Sequence, residues 1–121
     1  WMMQWSDFAF YFAGDTGYSS DFKQTVEKIG NVDLAAIPIG AYEPRDFMKS
    51  AHINPEEAVR VFNDLGAKYA IGIHWGTFKL TLEPMNEPPN RLKKALKAAG
   101  LDSQIFRTLK HGETWPAVFQ N

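Results

Sequence analysis

The sequence predicts an α/β fold in which helices pack on a mostly parallel sheet, and three observations indicate this class. Apolar runs of strand length recur along the 121 residues. Between them lie segments whose apolar residues repeat at helical spacing, and these segments begin and end at capping residues. The resulting order is β-α-β-α-β-α-β, which is typical of layered proteins whose helices connect parallel strands.

The predicted strands are short apolar runs bounded by turn residues. "FAFYFA" at residues 8–13 predicts a first strand buried on both faces, because the aromatic run is uninterrupted. "VDLAAIPIG" predicts a second strand that Pro38 and Gly40 terminate, and "KYAIGI" at residues 68–73 predicts a third strand that leads to His74. "QIFRTLKHG" predicts a short last strand.

The predicted helices each carry capping residues and one apolar face. "SSDFKQTVEKIG" has serines for a cap and a closing Gly30. "NPEEAVRVFNDLG" has the clearest pattern, with Asn54 as the cap, Pro55 at the first helical position and Glu57 at the capping-box position. "RLKKALKAAG" follows the loop "EPMNEPPN" and closes at Gly100. A chain of this length fits one domain with a core of ordinary size.

Composition excludes several classes of protein. Hydrophobic residues at 45% and charged residues at 22% are typical of a globular domain rather than a disordered tail. The net charge of −1, without a dense basic run, argues against nucleic acid as a partner. The absence of cysteine excludes disulfides and thiolate metal sites. No signal peptide is visible, and the longest apolar stretch is shorter than the ~20 residues of a membrane-spanning helix. We therefore expect a cytoplasmic protein.

Three polar residues lie near the carboxyl ends of predicted strands, where ligands gather in parallel sheets. Asp15 lies between two glycines in "FAGDTGY", His74 follows the third strand in "IGIHWGTF", and His52 precedes a helix in "KSAHINPEE". Carboxylates and neutral imidazoles are metal ligands. The competing interpretations are a turn aspartate bonded to its own backbone, a core histidine satisfied by carbonyl groups and an exposed loop histidine. The residues alone leave both sets of interpretations open.

A second polar cluster, Tyr42, Glu43 and Arg45, lies in "AYEPRDFMK" after the second strand. Arg45 can meet a phosphate with two parallel hydrogen bonds, and an ion pair with Glu43 is the competing interpretation. Glu83 and Glu87 are interpreted as solvated loop charges. The sequence contains no G-x-S-x-G elbow, no P-loop and no G-x-G-x-x-G turn, so serine-hydrolase and nucleotide-binding signatures are missing.

Taken together, five stretches resemble one known family in their order and spacing: "FYFAGDTGY", "DLAAIPIGAYEPRDFMK", "HINPEEAV", "AIGIHWGTFKL" and "EPPNRLKKAL". The chain resembles the C-terminal half of metallo-β-lactamase-fold hydrolases of the N-acylphosphatidylethanolamine phospholipase D type, over about residues 8–113. The resemblance implies an αββα sandwich of which residues 8–121 form the C-terminal half, with the N-terminal half absent. Residues 1–7 are expected to be an irregular or non-native start.

The resemblance also implies a chemistry for the candidate residues. Asp15 would bridge two zinc ions, His74 would ligate the second zinc, and His52 would be the catalytic residue beside the scissile group. Tyr42 and Arg45 are interpreted as substrate-binding residues. The intact protein would then hydrolyse phosphodiester bonds in a phospholipid or another phosphodiester, with peripheral membrane contact as one consequence.

The family's H-x-H-x-D-H motif is missing from this sequence, which has three histidines in total. The metal site is therefore expected to be incomplete and the chain inactive on its own. A lone half-sandwich would expose an apolar face, so we expect a partner, either the missing N-terminal half or a second copy. Two other functions stay open: a metal-dependent lactonase or other phosphoesterase of the same fold, and a non-catalytic half-domain with a structural or assembly role.

Overall fold

The structure of the protein is a computed structural model that describes residues 1–116. Five strands form one sheet: β1 (Met2–Gln4), β2 (Ala9–Phe12), β3 (Leu34–Pro38), β4 (Tyr69–Ile73) and β5 (Phe106–Thr108). Four helices connect them: α1 (Asp21–Ile29), α2 (Arg45–Met48), α3 (Pro55–Leu65) and α4 (Glu87–Ala98). None of these helices is long and apolar enough to cross a bilayer.

The strand order across the sheet equals the order along the chain, β1-β2-β3-β4-β5. β1 pairs with β2 antiparallel, and every later pair is parallel. The prediction of an α/β fold with a mostly parallel sheet is confirmed. Because parallel neighbours end on the same edge, the loops that follow β2, β3 and β4 leave the sheet together.

The beginning of the chain is not irregular as expected, because residues 2–4 form a strand; a non-native origin of residues 1–7 stays a prediction. Met2–Gln4 form the edge strand β1, and the terminal amine of Trp1 donates to the Phe12 carbonyl at 2.8 Å. The physical reason is that β2 offers an unpaired edge, and a short turn closed by the Trp5 N–H and the Phe8 carbonyl at 2.8 Å folds β1 back onto it. This pairing was invisible in sequence because the strand has three residues.

The burial of β2 and the start of α4 also differ from the sequence prediction. β2 is not buried on both faces: Ala9 is buried, whereas Phe12 is 38% exposed. α4 begins at Glu87, four residues before the predicted "RLKK" segment, because Pro88 lies in the first turn, where a missing N–H costs no helical hydrogen bond.

The helix α3 has the capping residues that the sequence predicts. The Asn54 side chain accepts from the Glu57 N–H at 2.9 Å, and the Glu57 carboxylate accepts from the Asn54 N–H at 3.1 Å. Gly66 closes the helix with a positive φ of 55°. The capping box therefore fixes where α3 begins, with its N-cap Asn54 two residues after His52.

The core lies on one face of the sheet. Inward residues of β3, β4 and β5 pack with apolar residues of α1, α3 and α4, including Phe22, Leu65, Leu92, Leu96, Ala35, Ile37, Ala70 and Phe106. The register places Met3, Phe10 and Phe12 on the opposite face, in rows with Leu34 and Ala36. That opposite face has an apolar surface toward β1 and β2, where Met3 is 43% exposed.

Candidate metal centre

Asp15, His52 and His74 converge at the carboxyl edge of the sheet. Asp15 follows β2, His74 follows β4, and His52 lies in the connection between β3 and α3. One donor atom from each side chain lies within 4.8 Å of the other two. The structure therefore brings together the three residues for which a metal or catalytic role was predicted.

The loop that carries Asp15 is docked against the chain that carries His52. The Ile53 N–H donates to the Thr16 carbonyl at 2.8 Å. A Cβ on Gly17 would lie 2.3 Å from the Ser50 carbonyl oxygen, so the two backbones touch at a point where any side chain would collide. This contact places an exposed carboxylate beside a half-buried imidazole.

His74 is placed by the ends of β3 and β4. The Ile39 N–H donates to the Ile73 carbonyl at 3.0 Å, which extends the ladder to the last residue before the site. A Cβ on Gly40 would lie 2.2 Å from the His74 carbonyl oxygen, and His74 itself has a φ of 60°. Its Nδ1 lies 3.4 Å from the Gly40 carbonyl oxygen, which is the contact that orients the ring.

His52 stacks on His74, with ring centroids 5.2 Å apart and an interplanar angle of 26°. Its backbone N–H donates to the Met48 carbonyl at 2.8 Å, and its own carbonyl accepts from Arg45 at 2.8 Å. His52 Nδ1 is buried and has no hydrogen-bond partner among the described residues. A buried polar nitrogen without a partner is costly, and a bound ligand at the site would offset that cost.

Tyr42 and Arg45 are engaged by other groups of the fold, and Arg45 meets the site through the backbone carbonyl of His52. Tyr42 is fully buried, and its hydroxyl donates to Glu87 at 2.7 Å. Burial and this hydrogen bond raise the pKa of Tyr42. The Arg45 guanidinium donates to Glu57 at 2.7 Å, so its ion-pair partner is not Glu43. These contacts give both residues a part in holding the loop before α3, and their contact with a substrate stays a prediction.

Sequence reasoning missed Glu83, which it assigned to solvent. Glu83 is 7% exposed and accepts hydrogen bonds from three consecutive backbone N–H groups, those of Ala41, Tyr42 and Glu43. Its position in the loop that follows His74 is the one feature of the sequence that places it near the site. Nothing in the side-chain pattern indicates a partner about forty residues away whose donors are backbone groups.

The donor set fits a metal ion. Two imidazoles and one carboxylate are ligands that zinc and other transition metals take in proteins. The Gly40 carbonyl can accept the Nδ1 proton of His74, which leaves Nε2 of His74 free to bind a metal. The buried Nδ1 of His52, which has no hydrogen-bond partner among the described residues, is consistent with a bound group at the site.

A cleft of about 290 Å³ adjoins His74. Its lining combines apolar residues of the segment between β4 and α4, among them Trp75, Phe78, Leu80 and Met85, with polar ones that include Lys79 and Glu83. Phe78 and Leu80 are 76% and 71% exposed. The cleft has room for an apolar group beside the candidate metal ligands.

Three comparisons with known proteins agree on the kind of protein this is. The family model described as the Beta-lactamase superfamily domain matches residues 1–75. N-acyl-phosphatidylethanolamine-hydrolyzing phospholipase D 1 of Caenorhabditis elegans is 53% identical over 111 residues, which cover 89% of this chain and 31% of the worm protein. A metal-dependent hydrolase of Methanopyrus kandleri is 30% identical over 105 residues, which cover 87% of this chain and 40% of that protein.

A solved structure has the same fold. Igni18, a metallo hydrolase from the archaeon Ignicoccus hospitalis, superposes with a TM-score of 0.65 at 24% sequence identity, covering 93% of this chain and 42% of the archaeal chain. The chain spans less than half the length of each of these proteins.

Proposed function

Because the chain belongs to the beta-lactamase superfamily, we propose that it forms part of the active site of a zinc-dependent hydrolase of phosphodiester bonds, similar to phospholipase D. The observation that carries the proposal is the convergence of Asp15, His52 and His74 within 4.8 Å. Relatives named as an N-acyl-phosphatidylethanolamine-hydrolyzing phospholipase D and as a metal-dependent hydrolase support it.

Asp15 and His74 are the residues that would hold the zinc ions, with the Asp15 carboxylate as their shared anionic ligand. When bound, the ions would activate water near neutral pH and withdraw charge from the phosphoryl group. The exposed position of Asp15 suits a metal ligand, because an ion can reach its carboxylate from solvent.

His52 is the proposed catalytic residue. One of its ring nitrogens lies within 4.8 Å of the donor atoms of Asp15 and His74, so it can contact a leaving oxygen of a substrate held there and give it a proton. Stacking on His74 and the hydrogen bonds to its backbone keep the ring in place. The cleft beside His74 would receive an apolar part of the substrate, which suits a phospholipid.

Three donor side chains are too few for two zinc ions, each of which takes four or five ligands. We infer that the remaining ligands come from an N-terminal half of the domain, packed against the sheet face opposite the helices. The support is that this face carries apolar residues outside the core and that the relatives are more than twice as long as this chain.

The test is a calorimetric titration with Zn²⁺ and an assay of phosphodiester hydrolysis, each with and without the proposed N-terminal half. Asp15→Asn should lower zinc affinity at least tenfold and abolish turnover, because a neutral amide is a poor bridge. Asp7→Asn, at an exposed aspartate in the turn between β1 and β2, is the matched control and should change neither quantity.

The outcomes separate the candidate functions. If zinc does not bind even when the N-terminal half is supplied, the hydrolase proposal fails and a non-catalytic role takes its place. If a lactone is hydrolysed and phosphodiesters are not, the site is that of a lactonase.

A further inference from the structure

Glu83 is a buried carboxylate with both oxygens engaged. Its Oε1 accepts from the N–H groups of Ala41 at 2.7 Å and Tyr42 at 3.2 Å, and its Oε2 accepts from the N–H of Glu43 at 3.1 Å. Among residues 1–116, Glu83 is the only charged residue whose side chain is buried. A carboxylate in this position is a structural anion, held in a nest of consecutive backbone donors.

The nest requires an unusual backbone. Ala41 has a φ of 62°, in the left-handed region that residues with a side chain rarely adopt. Within the described part of the chain, Ala41 and His74 are the non-glycine residues with a positive φ. Such conformations persist where the surroundings enforce them, and the Glu83 carboxylate is the group that binds the N–H of Ala41.

The nest is connected to the metal centre through one residue. Gly40 precedes Ala41, and its carbonyl oxygen lies 3.4 Å from His74 Nδ1. The two backbones are in contact there, since a Cβ on Gly40 would lie 2.2 Å from the His74 carbonyl oxygen. The Gly40 carbonyl and the Ala41 N–H belong to the same peptide group. The orientation of that peptide therefore determines both the direction of the N–H that Glu83 binds and the direction of the carbonyl that His74 faces.

We propose that Glu83 is a positioning residue of the candidate metal centre, which fixes the His74 ring and its tautomer through the peptide between Gly40 and Ala41. The proposal rests on the proposed metal-binding function and adds a residue to it. With the Gly40 carbonyl accepting the Nδ1 proton, the His74 Nε2 carries the lone pair that a metal needs. Both oxygens of Glu83 are bound by backbone N–H groups, so it acts on His74 through the backbone and not as a metal ligand.

The charge state of Glu83 suits this role. Burial alone would raise its pKa, but hydrogen bonds from Thr81 and from backbone N–H groups, including those of Glu43 and Ala41, outweigh burial and lower the pKa below its ordinary value. The carboxylate stays ionised at neutral pH, so it acts as a fixed anion rather than as a proton donor or acceptor.

The first experiment measures the tautomer of His74 in the metal-free full chain by ¹⁵N NMR of the imidazole nitrogens. The wild type should show His74 with the proton on Nδ1. Glu83→Gln, which places an amide NH₂ against backbone N–H groups, should shift His74 toward the Nε2–H form. Glu27→Gln, at an exposed glutamate of α1, is the matched control and should leave the tautomer unchanged.

The second experiment measures zinc affinity by competition with a chromophoric chelator. Glu83→Gln should weaken binding by about tenfold, the lower end of what residues behind metal ligands contribute. Glu83→Asp keeps the charge and should recover part of the affinity. If Glu83→Gln fails to fold, Glu83→Asp is compared with the wild type instead: its shorter side chain reaches the three N–H groups less well, so the tautomer and the affinity should shift in the same direction by a smaller amount.

The outcomes distinguish this proposal from the proposed function. If the wild type binds no zinc even with the proposed N-terminal half supplied, but Glu83→Gln shifts the tautomer, the positioning role stands and the metal function fails. If the variant loses stability while the tautomer and the zinc affinity stay as in the wild type, Glu83 is merely structural and the proposal is overturned.

Discussion

Gly17 and Gly40 occupy the two points where loops of the metal centre touch through their backbones. A Cβ at either position would lie 2.2–2.3 Å from a carbonyl oxygen of the facing loop, Ser50 for Gly17 and His74 for Gly40. The donor side chains are thus brought together by backbone contacts rather than by side-chain packing. A small residue at each contact is a requirement of the site geometry.

Gly40→Ala should therefore destabilise the protein and displace His74. We expect a loss of about 2–3 kcal/mol in the free energy of unfolding, because the clash is with backbone and one strand end must move. Gly66→Ala is the control: its Cβ meets nothing within 4 Å, and only the positive φ of 55° is strained, which costs about 1 kcal/mol. Urea unfolding measures both, and equal losses would contradict the steric explanation.

At the residue scale, the sequence predicted which side chains meet at the candidate metal centre but not the contacts that support them. Asp15, His52 and His74 could be found because parallel strands end on one edge, which makes their meeting a consequence of topology. Glu83 could not be found, because its donors are backbone N–H groups that leave no trace in the side-chain pattern. The ion pair of Arg45 with Glu57 was missed for a related reason: it depends on how α2 turns the chain back toward α3.

Among the elements, α3 fixes the position of His52. Its capping box joins Asn54 and Glu57, and the same Glu57 carboxylate accepts from Arg45, which also donates to the His52 carbonyl. The first turn of α3 is thereby connected to the catalytic candidate through two hydrogen-bonded residues. A change in the cap is expected to reach the site.

Asn54→Ala should lower the free energy of unfolding by about 1 kcal/mol, the usual contribution of an N-cap side chain. The chain supplies a matched control in Asn86→Ala, because Asn86 is the N-cap of α4 and its side chain makes no capping hydrogen bond. Chemical denaturation of both variants should show a shifted midpoint for Asn54→Ala alone. A shift of the same size in Asn86→Ala would mean that the loss reflects helix propensity rather than capping.

Asp33 joins three strands at the edge opposite the metal centre. Its carboxylate accepts from the Ala9 N–H, at the start of β2, at 2.8 Å, and it pairs with Lys68, just before β4, at 2.7 Å. The Lys68 ammonium, helped by the Ala9 N–H, holds the pKa of Asp33 below its ordinary value of 3.8 although burial opposes the shift.

The sign of this shift predicts a pH dependence of stability. A carboxyl group whose pKa is lower in the folded protein stabilises it above the unfolded pKa, and that stabilisation is lost as pH falls through the folded pKa. The free energy of unfolding should therefore decrease below about pH 4, and the decrease should be smaller in Asp33→Asn than in the wild type. Asp7→Asn serves as the control in the same acid titration followed by circular dichroism. An unchanged slope in Asp33→Asn would contradict the assignment.

Helices and strands were predicted correctly where several residues indicated the same element, and incorrectly where contacts with another part of the chain determine the conformation. The complete capping grammar of α3 gave its bounds directly. β1 was missed because three residues carry too little pattern and their conformation is imposed by pairing with β2. The predicted start of α4 lies too late in the chain because prolines are typical of loops, whereas Pro88 occupies the first turn of the helix.

For the molecule as a whole, the main asymmetry is between the two faces of the sheet. Helices α1, α3 and α4 cover one face, and Phe10, Phe12 and Met3 lie on the other. An apolar sheet face of this kind is stable in water when a partner covers it.

We expect the 13.7 kDa chain alone to self-associate, and light scattering after size exclusion should give a mass above that of the monomer. A Met3→Lys/Phe12→Lys variant should restore the monomer without unfolding, because both side chains are outside the core. Phe78→Lys is the control at an exposed aromatic residue of the loop after β4, and it should leave the mass unchanged. A wild-type chain that is monomeric and unfolds cooperatively would contradict the expectation.

The identity of strand order and chain order has a consequence for the biosynthesis of this protein. Each new strand is placed beside the strand made just before it, so no strand is inserted between two earlier ones. As the chain leaves the ribosome, the pairing edge is always the most recent strand, and its partner is already present. Ribosomal synthesis and assembly of the sheet can thus advance together, from β1 toward β5, with one connection between consecutive strands to close at each step.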